Sequence, residues 1–186
     1  MNMTEWEAVL ALPVSPARDH IRGPVDAPVT LLEYGDYECP YCGAAHGIVN
    51  AIRARMGDRL RFAYRHFPLT TMHPNAEPAA EAAEAAGAQG KFWAMHDVLF
   101  ENQQQLAAPY LLAYADALGL DLARFGSQLA ERVHYPKVRE DFMSGVRSGV
   151  NGTPTFYVNG RRHDGSWDAG SLLAALQRAA GAPVGA

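Results

Sequence analysis

The two cysteines of the chain, Cys39 and Cys42, stand in one short run, Glu38-Cys39-Pro40-Tyr41-Cys42. A disulfide framework that staples a fold needs cysteines far apart in the chain, so this pair cannot provide one. The fold must therefore rest on an apolar core. With 186 residues, 48% of them hydrophobic, the chain can bury one, as a single domain or a domain with a sizeable insertion. Any role for the cysteines is then chemical, and it depends on the elements that carry them.

The residues before the pair, Val29–Tyr34 (VTLLEY), are β-branched and apolar and read as a buried strand. Gly35–Cys39 is a short turn. Ala45, Ile48, Val49, Ile52 and Met56 then recur at helical spacing, which predicts a helix from Cys39 to Met56, closed by Gly57-Asp58. Leu60–Phe67 alternates apolar and polar residues as a second strand, and Pro68 stops it. Strand, helix, strand implies a parallel pair joined by a crossover helix, with the cysteines where the first strand enters the helix.

The following eighty or so residues read as helices over Asn75–Ala88, Lys91–Glu101, Tyr110–Leu118, a segment N-capped by Asp121 that runs to Glu131, and one opened by Pro136. Strand character returns at Thr155–Val158. Asn159-Gly160 is a hairpin signal leading into Arg161–Asp164, and Asp168 can cap a last helix carrying Leu172, Leu173 and Leu176. The order is βαβ, a helical block, then ββα, an α/β fold. It divides into a lead-in (residues 1–24, with a short strand near His20–Arg22), a first core part (25–67), a helical insertion (68–151), a second core part (152–182) and a tail (183–186).

The position of the cysteines fits redox chemistry. A thiolate, not a thiol, attacks disulfides, and a helix N-terminus lowers a thiol pKa through its free N–H groups and dipole. Cys39 is thus the expected exposed nucleophile. Cys42, one turn on, is the more buried resolving thiol, and Pro40 fits the first turn because its missing N–H would be unpaired anyway. Lowering a thiol pKa from ~8.5 to ~5 favours the thiolate by roughly 5 kcal/mol. A strong reductant and a strong oxidant of this kind differ by roughly 7 kcal/mol, so thiolate stabilisation can decide the direction of electron flow. The competing reading is zinc: Cys39, Cys42 and His46 have ligand-like spacing. A structural site needs a fourth ligand, and only His66 or His73, neither in a second ligand pair, could supply it. No metal and no cofactor beyond a redox-active Cys39–Cys42 disulfide is expected.

The motifs EYGDYECPYC (Glu33–Cys42), YRHFPL (Tyr64–Leu69), KFWAMHDVLF (Lys91–Phe100) and GVNGTPTFYVNG (Gly149–Gly160) occur in order between Val25 and Ala180. In these the chain resembles the DsbA-like thioredoxin family. The resemblance implies a thioredoxin core split by the helical insertion. It implies that Pro154 is a cis-proline facing the cysteines; without it, Thr153-Pro154 would read as a simple strand-entry turn. It also implies that Thr153 touches the dithiol and offers main-chain hydrogen bonds to an extended substrate, a pairing that tolerates many sequences. Glu33 matches the family's buried acid, a proton acceptor for the resolving cysteine; the alternative is a Glu33 that reaches solvent or pairs with an arginine. Tyr41 marks a departure. The best-known oxidases of the family carry histidine there, and Pro-Tyr also resembles glutaredoxins, which are shorter and lack the insertion.

The implied function is dithiol–disulfide exchange on protein or peptide thiols, of oxidase or isomerase type rather than reductase, with a small thiol or redox protein as recycling partner. The alternatives are a zinc-held domain and a non-catalytic peptide-binding module that uses the groove beside Pro154. A net charge of −4, with scattered basic residues, gives no footprint for nucleic acid. No apolar run approaches a membrane span. The N-terminus has no basic start, carries Glu5 and Glu7, and its apolar piece Val9–Val14 is cut by Pro13. That predicts a cytoplasmic location, or a periplasmic or extracytoplasmic one if a signal has been removed.

Overall fold

The computed structural model describes residues 9–181, so residues 1–8 of the lead-in and 182–186, including the tail, lie outside the described residues. The elements are β1 (His20–Arg22), β2 (Val29–Gly35), α1 (Pro40–Met56), β3 (Leu60–His66), α2 (Ala76–Gly87), α3 (Phe92–Glu101), α4 (Ala108–Ala117), α5 (Leu122–Ala130), α6 (Tyr135–Arg147), β4 (Thr155–Val158), β5 (Arg161–Arg162) and α7 (Ala169–Gly181). The local signals act as the sequence predicts. Asp121 caps α5 by accepting from the Arg124 amide at 3.0 Å, and Asp168 Oδ1 accepts from the amides of Gly170 and Ser171. Asn159 and Gly160 both take positive φ, as a tight hairpin between right-twisted strands requires.

The five strands form one sheet in the order β1-β3-β2-β4-β5. β2 and β3 run parallel, joined by α1; β4 lies antiparallel to β2, with Tyr34 opposite Thr155. This register brings the residues just before β4 to the end of β2 where the chain turns into α1. The topology therefore delivers Thr153 and Pro154 to the cysteines from more than a hundred residues away.

α1 turns Cys42, Ala45, Val49, Ile52 and Met56 inward, a helical stripe against the sheet and α7. The inserted block is helical throughout. Its centre, α2, buries Ala76, Ala79, Ala80, Ala82, Ala83, Ala85 and Ala86 and packs against α3, α4, α5 and α6. Alanine on nearly every side lets four helices approach one axis. No helix among the described residues is long and apolar enough to cross a membrane.

The alternation along β3 does not put its polar positions in water. Arg65 is fully buried beneath a second apolar cluster that includes Leu32, Tyr34, Ala63, Phe67 and Tyr157. Its guanidinium forms a two-pronged pair with Asp19, Nε to Oδ1 at 2.8 Å and Nη2 to Oδ2 at 2.9 Å, and also donates to the carbonyls of Leu12 and Pro13. The described part of the lead-in is thus integral to the structure, because Asp19 supplies the counter-charge that lets a strand arginine lie in the interior.

Candidate active site

Cys39 is the N-cap of α1, with extended backbone (φ −73°, ψ 121°), and Pro40 follows in the first turn. The Cys39 carbonyl accepts the Gly43 amide at 3.1 Å, and the Cys39 amide donates to the Asp36 carbonyl at 3.2 Å. Both cysteines are free. Cys39 is only 3% exposed and Cys42 is fully buried, whereas Tyr41 is 65% exposed. The expected exposed nucleophile is therefore covered, because the turn that follows β2 and the segment before β4 close over it. The Cys39 sulfur donates to the Thr153 carbonyl oxygen at 3.5 Å, and the Thr153–Pro154 bond is cis.

What separates the two thiols is electrostatics rather than exposure. Cys39 is drawn down to about 5 from its ordinary value. The hydrogen bond from Cys42 is the largest cause; burial opposes it, and Thr153 with the amides of Cys42 and Tyr41 adds to it. Cys42 is pushed well up, first by burial, then by donating its proton to Cys39 and by the negative charge of Glu33 and Cys39. Each sulfur sets the other, so one proton is held by the pair.

Glu33, on β2, is 2% exposed, and its Oε1 is buried without a hydrogen-bond partner. It does not reach solvent. Burial, then the charge of Cys39, raises it to about 8. The Tyr64 hydroxyl is likewise buried without a partner. Gly35 stands between them: a Cβ there would meet the Tyr64 ring at 2.6 Å and Glu33 Oε1 at 3.0 Å, so the strand end accepts only glycine.

The sequence assigns no role to several residues at the site, although Asp36 and Glu38 lie within the EYGDYECPYC motif. Asp36 Oδ2 accepts from the Leu69 amide and from His73 Nδ1, both at 2.8 Å, while its Oδ1 accepts from the Glu38 amide. Glu38 in turn holds the amide and side chain of Asn75 at 2.6 and 2.9 Å. The loop after β3 therefore clasps the turn that precedes Cys39. Burial works against charge on His73, but the hydrogen bond to Asp36 and the negative charge of Asp36, Cys39 and Glu38 prevail, and its pKa is raised. On the other side Gln103 Nε2 donates to the carbonyls of Tyr37 and Cys39, each at 2.8 Å.

The histidines weighed as zinc partners of the cysteines turn elsewhere. His66 pairs with Glu84 at 2.8 Å, His73 with Asp36 at 2.8 Å, and His46 faces Asp97 at 3.7 Å. Among the described residues, two groups could reach a single ion, His46 with His96 and Asp97, and His66 with Glu84 and Asp141; neither includes a cysteine.

A family model described as thioredoxin matches residues 16–178. Among solved structures, oxidised BdbD from Bacillus subtilis superposes with a TM-score of 0.82 at 23% identity, over 94% of this chain and 99% of that one. A thioredoxin-like oxidoreductase from Silicibacter pomeroyi DSS-3 gives 0.76 at 28% identity, over 90% and 95%. Wolbachia pipientis alpha-DsbA1 gives 0.79 at 18% identity, over 91% and 94%. Curated relatives carry a different name. A Na(+)/H(+) antiporter NhaA 1 from Salinispora arenicola is 52% identical over 181 residues, which cover 96% of this chain but 27% of the antiporter. The chain spans about a quarter of the length of these relatives.

Proposed function

The chain belongs to the DsbA-like thioredoxin family, and on that footing we propose that it exchanges disulfides with protein thiols through Cys39 and Cys42. The observation that carries this reading is the placement of Cys39 at the start of α1, with Cys42 one turn on and the Cys39 sulfur 3.5 Å from the carbonyl of Thr153; in that setting Cys39 is drawn down to about 5 and Cys42 is pushed up. The Cys39 thiolate attacks a substrate disulfide, forms a mixed disulfide and releases one substrate thiolate. Glu33 in its ionised form then accepts the Cys42 proton, and the Cys42 sulfur attacks Cys39. The Cys39–Cys42 disulfide forms and the second substrate thiolate leaves. Run backwards, the same steps oxidise a substrate dithiol. Thr153 and Pro154 stand beside Cys39, where the main chain of an extended substrate would pair.

The direction we favour is oxidation or isomerisation. At pH 7 a thiol held near 5 rather than 9 stabilises the reduced form by about 2.7 kcal/mol, which raises the potential by about 60 mV. A glutathione redox titration, with thiols counted in the reduced and oxidised forms, tests this. We expect two thiols that convert to one disulfide at roughly −150 to −230 mV. A value near −270 mV would mark a reductant, and thiols that never pair would leave a non-catalytic peptide-binding module.

The antiporter relatives carry a segment like this one as about a quarter of their length. Antiport itself is not assigned to the matched segment, whose described helices are too short or too polar to cross a membrane.

A further inference from the structure

His46 lies on α1 one turn beyond Cys42, while His96 and Asp97 are neighbours on α3, the helix of the insertion that packs against α1. The two imidazoles approach with ring centroids 5.4 Å apart and planes inclined at 59°. Asp97 Oδ1 is buried, has no hydrogen-bond partner, and stands 3.7 Å from His46 Nε2. One donor atom from each of the three lies within 4.8 Å of the others. Ligands ~2.0–2.1 Å from a tetrahedral ion sit about 3.3–3.5 Å apart, so a modest contraction of this group would enclose one.

The surroundings orient the group as outer partners of metal ligands do. His96 Nδ1 is engaged by the Tyr37 hydroxyl at 3.0 Å, which leaves Nε2 as the nitrogen to ligate. Asp97 Oδ2 is held by Arg22, whose guanidinium also donates to the Trp93 carbonyl and lies 4.5 Å over the Trp93 ring. That leaves Oδ1 as the free carboxylate oxygen. Asn50 Nδ2, 3.1 Å from His46 Nε2, is the contact an ion would displace.

The donor set also selects the ion. Calcium and magnesium take several oxygen ligands, and this site offers one carboxylate already shared with Arg22. Two imidazole nitrogens and one carboxylate oxygen suit a borderline transition ion. In the other group of possible ligands both carboxylates are already engaged: Glu84 takes His20 and His66, and Asp141 takes Arg18 and Lys137.

We propose that His46, His96 and Asp97 form a binding site for a divalent transition ion of the zinc class, completed by a water, which staples α1 to α3 of the insertion. The site is separate from the cysteines and independent of the redox reading. Because a free dithiol also binds zinc, the test uses the full chain as Cys39→Ser/Cys42→Ser. Zinc is added in calorimetry and thermal melts, and cobalt is followed by its visible absorption. We expect one equivalent to bind, a melting temperature that rises with zinc and falls back on chelation, and a tetrahedral or five-coordinate cobalt spectrum. His46→Phe keeps the stacking on Phe100, which lies 5.0 Å away, and removes a ligand. Asp97→Asn keeps the shape; circular dichroism confirms that each variant folds. Either change should weaken binding at least about tenfold. No zinc binding at millimolar concentration, or equal binding in both folded variants, overturns the proposal.

Discussion

The Cys39 sulfur and Thr153 meet across 114 residues of sequence, with sulfur and carbonyl oxygen 3.5 Å apart. Thr153 also has a buried hydroxyl without a partner, and it helps draw the Cys39 pKa down. One residue thus faces both protonation states of Cys39: its carbonyl accepts the thiol proton, and its hydroxyl can donate to the thiolate.

Alkylation of Cys39 should follow this arrangement. Its folded pKa lies below the unfolded value, so the thiolate adds stability to the reduced protein in full above pH 9. That advantage shrinks as pH falls and is lost through pH 5. The labelling rate should reach half its plateau near pH 5, with Cys42 unlabelled at that pH. Thr153→Val should move the midpoint upward, read from thiolate absorbance. Equal labelling of both cysteines at pH 5 would refute the assignment of roles.

Glu33 acts in the opposite sense on stability. Its folded pKa of about 8 is above the ordinary 4.5, so its burial costs nothing below pH 4.5, an increasing amount up to pH 8, and about 3 kcal/mol at pH 7. Glu33→Gln should melt higher than the parent at pH 8 and at the same temperature at pH 4.5, while resolution of mixed disulfides slows. A variant that resolves at the parental rate would remove Glu33 from the proton transfer.

Gly43 and Gln103 should prove coupled. A Cβ on residue 43 would come within 2.0 Å of Gln103 Oε1, so Gly43→Ala must push the amide away from the carbonyls of Tyr37 and Cys39. Each neutral hydrogen bond contributes about 1 kcal/mol, so Gln103→Ala should cost about 1–2 kcal/mol. Once Gln103 is gone, Gly43→Ala should cost little. Additive losses in denaturant melts of the double-mutant cycle would disprove the clamp.

Tyr41→His tests the tuning role of the residue between the cysteines. Tyr41 is exposed, so an imidazole placed there would be partly charged and screened by water. The potential should rise by about 10–30 mV, since 30 mV corresponds to about 1.4 kcal/mol. An unchanged glutathione titration would show that the tuning lies in Thr153 and the helix start instead.

Asp19→Ala should be among the most destabilising single changes. It leaves the Arg65 guanidinium buried without its counter-charge, at a cost of about 3–5 kcal/mol. Arg65 draws the Asp19 pKa down against the effect of burial, so the pair's contribution should persist until the pH falls below the ordinary carboxylate range. Urea melts of the two proteins at neutral pH measure the difference; a loss under 1 kcal/mol would show that water reaches the arginine.

The sequence alone determined the order of elements, because local signals act within a turn or two of chain. Pro40 opens α1, Asp121 and Asp168 cap their helices, and Asn159-Gly160 closes the hairpin. It also placed both cysteines at a helix start. Only the tertiary structure decided what surrounds them. The carbonyl of Thr153 over Cys39, Gln103 beneath the same turn, His73 on Asp36 and Asp19 on Arg65 join residues between 37 and 114 positions apart. Such contacts leave no periodic trace. The burial of Cys39, Arg65 and His96 was not legible either, because a polar side chain can be buried only where a distant partner satisfies it, and that partner is chosen by packing rather than by spacing.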